Sequence, residues 1–318
     1  MLFRRFTFNT LAPADWLSIS FLLTMSIIVL SNFQLFEYWY LFLGINFSII
    51  LAIFFIVNIY QNNFSNNSLV RLFRYWYPLF MVLFTFKEIY FIMVILEPVL
   101  NDNLLILIDR KIFGCNPTEV LYLIATPILT EFLQIIYILF YIMPVIFGLE
   151  LYIKKRFNEY RLYAFAVMLG FFLSFIGYLL VPAIGPRFTL HDFQNINSEL
   201  PGIYITNLLR DIINFGESIY NNTPDPAAIA QRDAFPSGHT IIILVITYLS
   251  FRFKTKTFFF YLPYSILMLF STVYLRYHYV IDLIAGVAIA ALVMLITMIF
   301  YNSKNEERFK YFRVKNLT

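Results

Sequence analysis

The sequence predicts an all-α fold, a polytopic membrane bundle of about eight helical spans. Three observations carry this reading. Hydrophobic residues make up 60% of the chain and charged residues only 13%, against roughly 25% charged in an average soluble domain. The apolar residues gather into runs close to the roughly 20 that a helix needs to cross a bilayer. Lys and Arg cluster on alternate connecting segments, the pattern that orients spans in a membrane. So little charge cannot cover a soluble surface, and so apolar a chain is not disordered. The single cysteine, Cys115, excludes a disulfide scaffold and a Cys-rich metal site. A net charge of +4 gives no reason to propose nucleic acid as a partner.

The first span, residues 16–31, follows Arg4 and Arg5 and has no small-x-small cleavage site after it. It therefore reads as a retained anchor rather than a signal peptide. Spans two to five are residues 41–60, 76–98, 127–149 and 161–181. The sixth, 239–252, is short, so it extends into its loop or tilts. Residues 258–301 are almost continuously apolar, and one helix of that length would run to about 66 Å, twice the hydrocarbon core. The stretch must fold back. Its polar interruption is Arg276-Tyr277-His278, which places the turn there and gives spans at 258–274 and 279–301.

Two connecting segments are long. Residues 99–126 hold Asn101-Asp102-Asn103, the apolar run 104–108 and Asp109-Arg110-Lys111, which reads as a short interfacial element. Residues 183–238 carry Pro, Gly, Asn and Asp clusters and read as a loop. Within it, Leu208-Leu209 and Ile212-Ile213 have helical spacing suited to a membrane surface. The expected organisation is N-terminal spans and interfacial segment (1–126), a second membrane domain (127–302) and a basic tail (303–318) on the cytoplasmic lipid surface.

With a cytoplasmic N-terminus, one side holds Arg4, Arg5, Arg71, Arg74, Lys154, Lys155, Arg156, Arg161, Arg252, Lys254, Lys256 and the five basic residues of the tail. The other side holds only Arg110, Lys111, Arg187, Arg210, Arg232 and Arg276. The positive-inside rule then puts both termini in the cytoplasm.

Three segments could carry chemistry. Phe235-Pro236-Ser237-Gly238-His239-Thr240 opens the sixth span. It reads either as a plain capped helix start or as a helix N-terminus offering N–H groups to an anion. In Tyr274-Leu275-Arg276-Tyr277-His278-Tyr279-Val280-Ile281-Asp282, His278 and Asp282 are four apart and share a helix face. A carboxylate there fixes an imidazole tautomer, or the pair only packs helices. Pro182-Ala183-Ile184-Gly185-Pro186-Arg187 closes the fifth span; alone it is a turn with a surface arginine. Orientation brings the three together. Arg187, Ser237, His239, Arg276 and His278 all fall at the non-cytoplasmic end, where two arginines, two histidines and a helix N-terminus suit a tetrahedral oxyanion. No Cys, His or carboxylate metal cage is visible, so no metal or other cofactor is expected. Arginines and N–H groups would then stabilise a transferring phosphoryl group.

Pro236-Ser237-Gly238-His239, followed 39 residues later by His278 within Tyr-Leu-x-x-His-Tyr-x-x-Asp, resembles the type 2 phosphatidic acid phosphatase superfamily of lipid phosphate phosphatases and vanadium haloperoxidases. The resemblance covers about residues 161–300 and implies a six-helix phosphatase-like core in the C-terminal part. It implies His278 as the nucleophile that forms a phosphohistidine, Asp282 as its orienting carboxylate and His239 as the acid for the leaving group. It implies Ser237, Gly238, Arg276 and Arg187 as holders of the phosphate oxygens. Thr272 stands where the common pattern has an arginine, Arg276 appears instead, and Pro186-Arg187 replaces Arg-Pro with Leu180 at the motif lysine's place. These features resemble the branch of inositol phosphorylceramide synthases. The implied activity is phosphoryl transfer on a membrane lipid phosphate, with water as acceptor (a phosphatase) or an alcohol (a head-group transferase). An anion transporter is the reading from a different class. Lys87-Glu88, mid-span in the third span, reads as a structural pair or as the replacement for the missing lysine. Glu131 and Gln134 read as interhelical contacts, and His191 as a surface residue.

Overall fold

The structure, a computed structural model, describes residues 11–61, 67–217, 219–220 and 223–302, with side chains to residue 300. Arg4, Arg5 and the basic tail lie outside the described residues. Among these residues the chain is helical and contains no strand. α1 (Pro13–Ser31), α2 (Trp39–Gln61) and α3 (Ser68–Leu96) lead into the short α4 (Asp102–Phe113) and α5 (Pro117–Tyr122). α6 (Pro127–Leu139) passes through a 3-10 turn into α7 (Met143–Ile153), followed by α8 (Phe157–Leu180). Four short helices follow: α9 (Pro186–Thr189), α10 (Ile196–Glu199), α11 (Thr206–Gly216) and α12 (Pro226–Ile229). α13 (Gly238–Arg252), α14 (Phe258–Tyr274) and α15 (Val280–Asn302) complete the chain.

Among the described residues six helical stretches, α1, α2, α3, α6–α7, α8 and α15, are long and apolar enough to cross a membrane. α13 and α14 are apolar but shorter. α14 and α15 are separated where the sequence places the turn. The sixth span stops at Ser237, whose hydroxyl caps α13, so it does not extend into its loop. The 3-10 turn Phe140–Ile142 has a local cause: Pro144 has no N–H to offer Phe140, four residues earlier. α3 begins eight residues before the expected boundary, because Arg74 lies inside the helix and is neutralised there. The expected loop 183–238 holds α9 to α12; Pro186 and Pro226 sit in the first turns of α9 and α12, where a missing N–H costs nothing.

The backbone divides into two compact units. One is drawn from residues up to Leu96, Glu150–Phe172 and the chain from Leu295 onward. Here α1, α2 and α3 pack on one another around Leu22, Met25, Val29, Ile53, Val57 and Ile92. Polar groups in this apolar setting reach across helices for partners. Buried Asp15 receives both terminal nitrogens of Arg74, at 2.9 and 2.7 Å, and the Tyr77 hydroxyl. Glu88, also buried, accepts from Asn46 Nδ2 at 2.6 Å, while Lys87 lies over the Tyr90 ring.

The second unit comprises Glu97–Leu149 and Leu173–Met294. α14 packs against α13 and α6; the hydroxyls of Tyr264 and Tyr261 donate to the carbonyls of Ile136 (2.8 Å) and Met143 (3.2 Å). Glu131 contacts a loop rather than another span: its Oε2 accepts the N–H groups of Ile203, Tyr204 and Ile205. α13 and α15 approach closely at Gly286, where an added Cβ would lie 2.9 Å from Thr240 Cβ and 3.1 Å from the Ser237 carbonyl oxygen.

Gly286→Leu should therefore lower thermal stability in detergent by about 1–3 kcal/mol through overpacking. Gly44, with nothing within 4 Å of its Cβ position, is the contrast. Gly44→Ala should be neutral or stabilising by up to about 1 kcal/mol.

Candidate active site

α14 ends in a tight turn. The N–H groups of Tyr277 and His278 both donate to the Thr272 carbonyl, at 2.9 and 3.1 Å. Arg276 has φ +68°, uncommon for a residue with a side chain and frequent at functional sites. α15 restarts at Val280, so His278 lies just outside it and Tyr279 is its N-cap. Asp282 is the third helical residue, and its Oδ2 reaches back to the Tyr279 N–H at 2.8 Å, half of a capping box. The same oxygen lies 3.3 Å from His278 Nδ1. The sequence spacing thus brings His278 and Asp282 together through a capping turn, not a shared helix face.

His278 Nδ1 also lies 2.8 Å from the Ala234 carbonyl oxygen. A carbonyl only accepts, so Nδ1 carries the proton and Nε2 keeps its lone pair. His278 Nε2 is 3.2 Å from Nδ1 of His239, the second residue of α13. His239 Nδ1–H then donates to it. The His239 ring packs against Phe140 and Tyr137, with centroids 4.4 and 4.8 Å away. Its buried Nε2 has no hydrogen-bond partner.

Three short segments are laced together by backbone hydrogen bonds. Ala234 N–H donates to the Ala183 carbonyl (3.0 Å), Arg187 N–H to Arg276 (3.0 Å) and Ser237 N–H to Asp282 (3.1 Å). Ser237 is the N-cap of α13; its hydroxyl accepts from Thr240 N–H and Thr240 Oγ1, at 3.2 and 3.1 Å, which leaves its own O–H to donate. Gly238 follows it, and a Cβ there would lie 2.7 Å from the Tyr178 hydroxyl.

The arginines differ. Buried Arg187 stacks under Phe188 and Tyr277, its guanidinium 4.6 and 4.8 Å from their centroids, and pairs with Glu217. His278 feels its charge. Arg276, also buried, pairs with Glu199 and lies over Tyr122; neither histidine is among its partners. Arg276 acts instead on His191. That residue, expected at the surface, is half-buried, with Nε2 2.9 Å from Thr118 Oγ1. Among the described residues no group of three or more His, Cys, Asp or Glu side chains could hold a metal ion.

Burial brings His278 down to about 4, opposed by the charge of Asp233. Burial, helped by Glu217 and opposed by His278 and Arg187, pushes Asp233 up to about 6. Asp233, Glu199 and Glu217 escaped the sequence reading because acidic residues in a polar loop carry no periodic signal. Asp102 and Asp109 also escaped it. They lie seven apart on α4, two turns of one face, which was the available clue. The Asp102 carboxylate accepts from the N–H groups of Ile184 (3.1 Å) and Gly185 (2.8 Å). Asp109 accepts from those of Val280 (2.9 Å) and Ile281 (2.8 Å).

A family model described as the PAP2 superfamily matches residues 103–296, well over half of the chain. The chain belongs to that superfamily, which supports a phosphatase- or phosphotransferase-type activity. No curated protein and no solved structure matches the chain.

The tautomer is testable by nitrogen NMR of labelled histidine in detergent. His278 should carry its proton on Nδ1 and keep Nε2 unprotonated. Because its pKa is lowered, the neutral base persists as pH falls and is lost only near 4, so its signals should not titrate between about pH 8 and 5.5, where an ordinary histidine would. Titration near 6.5, or a proton on Nε2, would contradict the assignment.

Proposed function

We propose that this chain is an integral-membrane phosphatase of lipid phosphates that works through a phosphohistidine at His278. The observation that carries the reading is the His278 imidazole. Its Nδ1–H is fixed between the Ala234 carbonyl and Asp282, and its Nε2 lone pair faces a second histidine. That is the arrangement of an activated nucleophile with an acid beside it.

In the first step the Nε2 lone pair forms an N–P bond while the bond from phosphorus to the lipid oxygen breaks. The positive charge that grows on the ring is spread toward Asp282 and Ala234. His239, which takes up a proton once the anionic phosphate lies against it, gives that proton to the departing oxygen. In the second step water loses a proton to His239 and attacks phosphorus, the N–P bond breaks and phosphate leaves. An attacked phosphorus lies about 3–3.5 Å from its nucleophile, and an acid lies about 2.6–3.2 Å from the oxygen it protonates. Two nitrogens 3.2 Å apart leave no room for this, so substrate must part the histidines. Arg187, the Ser237 hydroxyl and the Gly238 N–H would hold the phosphate oxygens, the last once it leaves the Tyr178 hydroxyl; Arg276 stays with Glu199 and Tyr122. Phosphate would replace the Glu217 carboxylate on Arg187. With the N-terminus cytoplasmic, the site opens on the non-cytoplasmic side and lipid enters sideways.

A second reading, head-group transfer, is favoured by the charge balance. Each arginine is already matched by a glutamate, which suits a singly charged phosphodiester better than a doubly charged monoester. An alcohol would then take the place of water in the second step.

The deciding assay uses purified protein in detergent with a chelator, presented with phosphatidic acid and a phosphodiester lipid, with and without a polyol and ceramide. Free phosphate and new phosphorylated lipid are followed together, with His278→Ala as the blank. Phosphate release that needs no added alcohol is the expected result. A new phosphodiester with little free phosphate would favour transfer, and turnover undiminished in His278→Ala would contradict both. Glu217→Gln removes the carboxylate that competes for Arg187, so it should lower KM several-fold for the monoester.

A further inference from the structure

α4 lies outside the three segments that form the site, yet it touches all of them. Its Leu105 and Ile106 form one buried cluster with Ala183, Ala234 and Tyr279, one residue from each segment. Its two carboxylates are both buried, 4% exposed at Asp102 and 2% at Asp109. Neither has a cationic partner among the described residues. Burying an unpaired carboxylate is expensive, so these two must be balanced by hydrogen bonds, and they are.

Asp102 accepts from Ile184 and Gly185 N–H, just before Arg187, and from the Tyr279 hydroxyl at 2.8 Å, just after His278. It thereby joins the arginine segment to the nucleophile segment through one side chain. The Tyr279 hydroxyl also lies 2.6 Å from Thr189 Oγ1, which closes the link from the far side of Arg187. Asn101 N–H donates to the Pro182 carbonyl at 2.8 Å, anchoring the start of α4 to the same turn. Asp109 takes the first two N–H groups of α15. Asp282 takes the N-cap N–H of the same helix. Between them they fix where α15 begins, and so where His278 stands. Gly185 has φ +92° and lies against the Tyr277 carbonyl, 2.8 Å from where a Cβ would sit. The two segments therefore touch without a side chain between them.

We propose that Asp102 and Asp109 are positioning residues, which set the separation between the arginine that holds the phosphate and the imidazole that attacks it. The inference rests on the phosphoryl-transfer reading above. Positioning of this kind acts on the transition state: a displacement of about 1 Å can cost on the order of 100-fold in rate, while ground-state anion binding changes little.

The test compares two anions on the intact protein in detergent. Inorganic phosphate probes ground-state binding. Orthovanadate probes the transition state, because it takes a fifth ligand from a nucleophile placed in line. In the wild type, vanadate binding should be lost with His278→Ala. Asp109→Asn should weaken vanadate about 10–100-fold and phosphate by less than about three-fold. Tyr279→Phe, which removes only a hydroxyl, should shift the ratio in the same direction by a smaller factor and keeps the test open if Asp109→Asn fails to fold. Equal weakening of both anions in both variants, or no change, would overturn the positioning role and leave the phosphohistidine reading standing. Wild-type vanadate binding that survives His278→Ala would overturn both.

Discussion

A helix that starts in apolar surroundings exposes N–H groups that must find acceptors, and in the second unit carboxylates meet that demand. Asp109 and Asp282 take the first N–H groups of α15. Asp102 takes two N–H groups of the turn before Arg187. An unpaired buried backbone donor costs on the order of a lost hydrogen bond or more. The carboxylates are thus placed first by backbone needs. The site's geometry follows from the same placements.

That origin explains how His278 is held. Asp282 reaches back to cap α15 and in doing so comes beside His278. The Ala234 carbonyl takes the other direction of the same Nδ1–H. One capping turn therefore sets the tautomer, the ring orientation and the direction of the Nε2 lone pair. The cost is an acidic neighbourhood. Asp233, Glu199 and Glu217 surround two arginines, and burial keeps His278 neutral far below the usual histidine range. A neutral base among balanced charges suits attack on a phosphate ester, since a cationic imidazole has no lone pair to give.

The bundle was legible in the sequence because hydropathy and the lysine and arginine distribution are sums over many residues. The turn at Arg276–His278 was legible because a helix of that length cannot fit a bilayer. His239, His278, Asp282, Ser237 and Arg187 could be picked out, and the structure brings them to one set of laced segments. The direction of Arg276 was not legible: a positive φ at that residue turns its side chain toward Glu199, and nothing in the spacing announces a left-handed residue. The start of α3 was not legible because Arg74 is polar by type but neutralised in place by Asp15, 59 residues away in sequence. Asp102 and Asp109 went unrecognised for a similar reason. Their partners are backbone N–H groups, which every residue carries and no motif marks.

The most direct measurement is the site of covalent labelling. Detergent-purified protein would be mixed with phosphorus-labelled phosphatidic acid and a labelled phosphodiester lipid, quenched in alkali within the first turnover and mapped by mass spectrometry. The expected result is a phosphoryl group on the peptide containing His278, formed and lost at rates that match turnover. A phosphoryl group on another residue, or steady turnover with none on His278, would contradict the central claim.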